Sequence, residues 1–176
     1  NIATAYRASG DYQTAKQTYQ QALGILEIYA EEPLDNQFAS LYNNLALTYE
    51  SLGEPEAAVA QLKKALEHLR LLDHTELNQA ITYTNLACAY YQLHQYDQCL
   101  KMVEEARRLY VSLEATDDNH YAALLAVHGQ TLQALGHYSE AKAIYLEALQ
   151  KQKQAYGRNA GYLELLHNLK ADLEKL

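Results

Sequence analysis

The sequence predicts an all-α fold, an α-solenoid of stacked helix-turn-helix units. Three observations lead to it. A short phrase returns along the chain: Ala3-Thr4-Ala5-Tyr6 before Gly10-Asp11-Tyr12, Asn44-Leu45-Ala46-Leu47-Thr48-Tyr49 before Gly53, Asn85-Leu86-Ala87-Cys88-Ala89-Tyr90 before Tyr96, and Leu132 before Gly136-His137-Tyr138. Aligned on Gly10, Gly53, His94 and Gly136, the copies stand 43, 41 and 42 residues apart, a period that marks architectures whose units bury their apolar faces only by stacking. The 176 residues include 2 Pro and 7 Gly and are 49% hydrophobic, which leaves little room for long linkers or dense turns. Small and large side chains also alternate at helical spacing in every copy.

The first helix of a unit carries a small residue at Ala3, Ala46, Ala87 and Gly129, and a large one three positions later at Tyr6, Tyr49, Tyr90 and Leu132. The turn follows. Gly holds it in three copies because a helix commonly exits through a left-handed residue, where Gly carries no steric penalty; His94 departs from this at a tolerable cost. The second helix places a small residue five after the turn (Ala15, Ala58, Cys99, Ala141), then a large one (Tyr19, Leu62, Val103, Tyr145), then Ala22, Ala65, Ala106 or Ala148. Residues at i+3 and i+4 share a helix face, so the two helices interlock small against large.

Units are expected at 1–34 (truncated, since Asn1 falls inside a repeat), 35–74, 75–116 and 117–157, with a terminal helix at 159–176. Lys170 takes the small-residue position of that helix, which suits a solvating cap. Ten of the 16 Tyr fall on recurring packing positions: Tyr6, Tyr12, Tyr19, Tyr42, Tyr49, Tyr83, Tyr90, Tyr96, Tyr138 and Tyr145. Their hydroxyls are expected to reach helix ends or water. Tyr91, adjacent to Tyr90, turns about 100° away from it.

These positions, with Tyr12, Tyr96 and Tyr138 two residues after the turn, resemble the tetratricopeptide repeat over nearly the whole chain. The usual unit is about 34 residues. The additional length is expected in a longer second helix and in the start of the next first helix, because 65–72 and 148–155 are runs of good helix formers. With Asn43-Asn44-Leu45-Ala46, it looks like the 42-residue kinesin-light-chain type. The resemblance implies a right-handed superhelix whose first helices line a concave groove. The groove positions it implies are Asn1, Thr4 and Arg7; Ser40, Asn43, Asn44, Leu47 and Glu50; Ile81, Thr84, Asn85, Cys88, Tyr91 and Gln92; Ala123, Val127, Gln130 and Gln133; and His167 and Asn168.

Composition excludes several other functions. A net charge of −8 leaves no basic stripe for phosphates, so nucleic acid is not an expected partner. Lys63-Lys64 and Arg107-Arg108 stand beside Glu67, Glu104 and Glu105 at spacings that favour local ion pairs. No apolar run approaches the roughly 18 residues of a membrane span, and no signal peptide is visible. Cys88 and Cys99 form no CxxC motif, which fits a reducing compartment, and a cytoplasmic location is expected. The seven His lack metal-ligand spacing, and no phosphate loop, nucleophile elbow or recurring carboxylate pair points to catalysis. Neither an enzyme nor a cofactor is expected.

One signal lies off the packing face: Asn at equivalent positions in Asn1, Asn44, Asn85 and Asn168, interrupted by Val127. A side-chain amide both donates and accepts, so a ladder of them can grip the backbone of an extended peptide. The same amides can instead bond a neighbouring repeat and fix the superhelical angle. Arg7 is the one cation among the central positions, opposed by Glu50, so a clamp for a terminal carboxylate is not expected. Leu47, Ile81, Cys88 and Tyr91 form an apolar patch. The expected function is a protein–protein interaction module that takes an extended peptide through Asn43, Asn44, Leu47, Glu50, Asn85, Cys88, Tyr91, Gln92 and Gln130. The alternative is a structural or regulatory scaffold segment whose groove is filled by self-assembly or intramolecular contacts.

Overall fold

The computed structural model describes residues 2–29, 36–156 and 160–174. Among these the chain is helical throughout, without strands: α1 (Ile2–Ala8), α2 (Tyr12–Tyr29), α3 (Asn36–Ser51), α4 (Pro55–Arg70), α5 (Glu76–Gln92), α6 (Tyr96–Ser112), α7 (Asn119–Ala134), α8 (Tyr138–Tyr156) and α9 (Ala160–Leu173). The added length is shared between second and first helices, as expected. Among the complete pairs, α3, α5 and α7 run 16, 17 and 16 residues, and α4, α6 and α8 run 16, 17 and 19.

The turn inside each pair is the same hydrogen-bonded device. The residue after the turn position donates its N–H five residues back, as in Glu54 to Tyr49, Gln95 to Tyr90 and His137 to Leu132, each at 2.9 Å. The turn residue itself donates three residues back, so the last free carbonyls of the helix are satisfied. Gly10, Gly53 and Gly136 hold φ of 85°, 73° and 80° there, and His94 holds 56°. A side chain in this left-handed region is strained. Replacing His94 with Gly should therefore stabilise the protein by about 0.5–1 kcal/mol, seen as a higher midpoint in thermal melting. The exposed bond from His94 Nδ1 to the Tyr96 hydroxyl is lost in exchange.

The small and large residues pack as their spacing requires. Ala15, Ala58, Cys99, Ala141, Ala65, Ala106 and Ala148 are fully buried, and so are Tyr19, Leu62 and Tyr145. Gly129 is buried under Tyr145: a Cβ there would lie 2.7 Å from Cδ1 and 2.8 Å from Cζ of that ring. The tyrosines divide more finely than their positions suggest. Tyr19, Tyr42, Tyr49, Tyr83, Tyr90 and Tyr145 are buried, but Tyr6 is exposed and Tyr12, Tyr96 and Tyr138 are half-buried, whereas Tyr110 and Tyr121, outside the recurring set, are core residues stacked edge to face.

Several hydroxyls bond side chains across helices, rather than helix ends. Tyr19 pairs with Thr4 at 2.8 Å, Tyr121 donates to Glu147 at 3.0 Å, Tyr49 accepts from Gln20 and Tyr83 from Arg70. The basic pairs also depart from the local pattern. Arg108 meets Glu105 on its own helix, but Arg107 reaches Glu147 on α8 at 3.0 Å, and Lys64 lies over the Tyr42 ring.

The stacking order defines the curvature. Each helix packs on the next in sequence, and the first helices also touch one another, α3 on α5, α5 on α7 and α7 on α9. Among the described residues no two second helices make a comparable contact, so the first-helix layer is the inner, concave face of the solenoid. No described helix is long and apolar enough to cross a membrane.

Candidate functional site

Among the described residues, two cavities open between neighbouring first helices. The first, about 400 Å³, lies mainly between α3 and α5 and is lined by Asn36, Ser40, Asn43, Asn44, Leu47, Asn78, Ile81 and Asn85, with His120 at its end. The second, about 340 Å³, lies mainly between α7 and α9; its lining combines the apolar Ala122, Ala123, Ala126, Val127 and Leu165 with the amides of Asn119, Gln130, Gln152 and Asn168. Cys88, on α5, also lines the second cavity.

The structure thus gathers Asn43, Asn44, Leu47 and Asn85 around one cavity and Cys88 and Gln130 around the other. Glu50, Tyr91 and Gln92 line neither. Tyr91 is half-buried with its ring 6.0 Å from that of Tyr96, and Gln92 is exposed. Thr84, a groove position by resemblance, is buried, and its hydroxyl bonds the Ala80 carbonyl at 2.9 Å. Asn1 lies outside the described residues.

The amides are already at work between helices. Asn85 Nδ2 donates to Asn43 Oδ1 at 3.1 Å; Asn43 Nδ2 in turn donates to Thr82 Oγ1 at 2.9 Å and to the Ala39 carbonyl at 3.1 Å. Two turns earlier, Asn78 Nδ2 donates to Asn36 Oδ1 at 3.3 Å. Asn36 with Asn78, and Asn43 with Asn85, are each 42 residues apart, so one repeat of the chain becomes one rung between adjacent first helices. Asn43 spends both donors on these bonds. Asn44 Nδ2 bonds the Ser40 carbonyl of its own helix at 2.9 Å. The Oδ1 acceptors of Asn44 and Asn85, by contrast, have no hydrogen-bond partner among the described residues.

Glu50 sits in the last turn of α3. Its Oε1 is buried without a donor, and burial pushes the carboxyl up to about 7. Arg7, at the equivalent position of the preceding unit, makes no ion pair with it; Arg7 Nε is buried and likewise without an acceptor. Burial, with the nearby Glu50 charge second, pushes the Cys88 thiol up to about 12, so it is no nucleophile at neutral pH. Cys99 is also raised by burial and bonds Thr131 at 3.0 Å. Among the described residues no group of three or more His, Cys, Asp and Glu could hold a metal ion.

Sequence reasoning missed Asn36, Asn78 and His120 at the first cavity, and Asn119, Ala122, Ala126, Gln152 and Leu165 at the second. Asn36 and Asn78 carried a usable signal: each stands two helical turns before Asn43 or Asn85, on the same stripe. The lining alanines carried none, since α7 offers alanines on several faces.

A period near 42, small-against-large interlocking and a first-helix concave layer define a helical repeat of the tetratricopeptide class. A tetratricopeptide-repeat model matches residues 37–112 and 78–154, and a second matches residues 1–25; the chain belongs to the tetratricopeptide repeat family. Its fold is similar to that of BtubC (BKLC) from P. vanneervenii, with a TM-score of 0.82 at 19% identity over 99% of this chain and 70% of that one. The nearly identical TPR-like repeats of a kinesin light chain from Podosopora anserina give 0.76 at 18% identity, over 99% and 83%. In sequence, the chain is 30% identical over 89 residues to 26S proteasome non-ATPase regulatory subunit 13 homolog B of Arabidopsis thaliana, which covers 49% of this chain and 23% of that protein. The chain therefore spans less than a quarter of the length of this curated relative. Fold and family support a protein–protein interaction or scaffold role.

Proposed function

We propose that the concave face of α3, α5 and α7 binds an extended peptide segment of a protein partner. The observation that carries this reading is the pair of open cavities between neighbouring first helices, with the Oδ1 acceptors of Asn44 and Asn85 left over at the first. An acceptor in this position takes a backbone N–H from a peptide whatever its side chains are. Asn43 acts differently: its rung to Asn85 and Thr82 holds α3 against α5 and keeps the cavity in shape.

Asn44→Ala with Asn85→Ala should weaken peptides selected on the wild-type protein by about tenfold or more, two net hydrogen bonds at about 0.5–1.5 kcal/mol each. Asn44→Ala alone should leave the melting temperature unchanged, while Asn85→Ala lowers it because the rung to Asn43 is lost. Isothermal titration beside thermal melting reads both. Unchanged affinity in the double variant contradicts the reading.

The rungs also favour a second reading, in which the amides serve only to set the repeat angle of a scaffold segment and the groove is filled by self-assembly. Light scattering separates the two: a monomer that binds peptide supports the first, an oligomer that buries the groove the second.

A further inference from the structure

The middle of the proposed groove, on which this inference rests, contains a carboxyl group with an unmet charge. Leu47, one turn before Glu50 on α3, lines the first cavity, and Cys88, close enough to feel the Glu50 charge, lines the second. Glu50 lines neither cavity but neighbours a lining residue of each, Leu47 along α3 and Cys88 on α5. One of its oxygens is buried without a donor, and among the described residues no Lys, Arg or His nitrogen comes within 4.0 Å of it. A buried carboxylate without a counter-charge is unfavourable. It also lies at the C-terminal end of α3, where the final carbonyls add partial negative charge. Both features favour a cation supplied from outside.

The second cavity asks for something else. Ala122, Ala123, Ala126 and Val127 are short, and with Leu165 they leave about 340 Å³ open among the described residues. A cavity lined by methyl groups and by amides suits an apolar side chain on a chain whose backbone the amides hydrogen-bond. Among the described residues no Asp, Glu, Lys or Arg lines either cavity.

We propose that the partner segment carries a lysine or arginine that meets Glu50 and, beside it, an aliphatic side chain that fills the alanine-lined cavity between α7 and α9. The two contacts set specificity, while the asparagine acceptors hold the backbone.

A library of short randomised peptides with one fixed position per set, screened against the purified protein, tests this. Wild type should enrich Lys or Arg at one position and Leu, Ile or Val at another, each by about tenfold, as expected for a charge-assisted bond and a buried aliphatic group. Glu50→Gln should abolish the basic preference and leave the aliphatic one. Ala123→Phe, an exposed position that fills the cavity without crowding the core, should do the reverse. Selection of acidic residues, or a basic preference that survives Glu50→Gln, overturns the proposal while leaving peptide binding in place. If no sequence is enriched at all, peptide binding itself fails, and this inference with it.

Discussion

Gly129→Ala should lower stability by about 2 kcal/mol, a fall of roughly 4–8 °C in melting temperature for a chain of this size. The position is buried, and the added methyl would overlap Cε1, Cδ1 and Cζ of Tyr145, itself fully buried. The ring crosses Gly129 to place its hydroxyl 3.3 Å from Gln133 Oε1, one turn further along α7. In the first unit the equivalent ring, Tyr19, turns its hydroxyl to Thr4 instead. Small against large is thus solved twice, and glycine permits the second solution. Combining Gly129→Ala with Tyr145→Leu copies the Ala46 and Leu62 pair of the second unit and should recover much of the loss. Urea unfolding of the single and double variants measures it, and an unaffected Gly129→Ala would mean that the ring is free to move away.

Glu50→Gln should be neutral near pH 4.5 and stabilising by about 1–3 kcal/mol at pH 8. The sign follows from burial, which raises the carboxyl from 4.5 in the unfolded chain to about 7 in the folded one. Below 4.5 the group is protonated in both states and contributes no difference. Between 4.5 and 7 the folded protein holds a proton that the unfolded chain has released, so stability falls as pH rises; above 7 the penalty is complete. Every tenfold gain in proton affinity on folding corresponds to about 1.4 kcal/mol, and partial solvation reduces the total. Gln carries no charge and removes the penalty. Unfolding free energies of both proteins across this range isolate Glu50 from the other carboxylates, since only their difference is read. A difference independent of pH would show that the carboxyl finds a partner in solution.

The fold was legible because its cause is local and repeated. Ala15, Ala58, Cys99 and Ala141 must be small because a first helix packs on each of them, and that demand recurs at every period. The site was legible only in part. Asn44 and Asn85 hold equivalent places in sequence, yet Asn85 reaches across to Asn43 while Asn44 bonds its own helix. That difference depends on what the preceding first helix presents to each amide, which the helix bearing the asparagine does not encode. Glu50 reads in sequence as an acid facing Arg7, but the two make no ion pair, and its carboxyl is buried. Tyr110 and Tyr121 became core residues through the meeting of α6 with α7.

Amide chemical-shift mapping of the protein with a peptide selected from the library tests groove binding most directly. Shifts should concentrate on the inward residues of α3, α5 and α7, with Asn44, Leu47, Asn85 and Gln130 among them, and should leave the outer faces of α4 and α6 unmoved. Shifts centred on α4, α6 or α8, or spread evenly over the chain, would contradict a peptide-binding concave face.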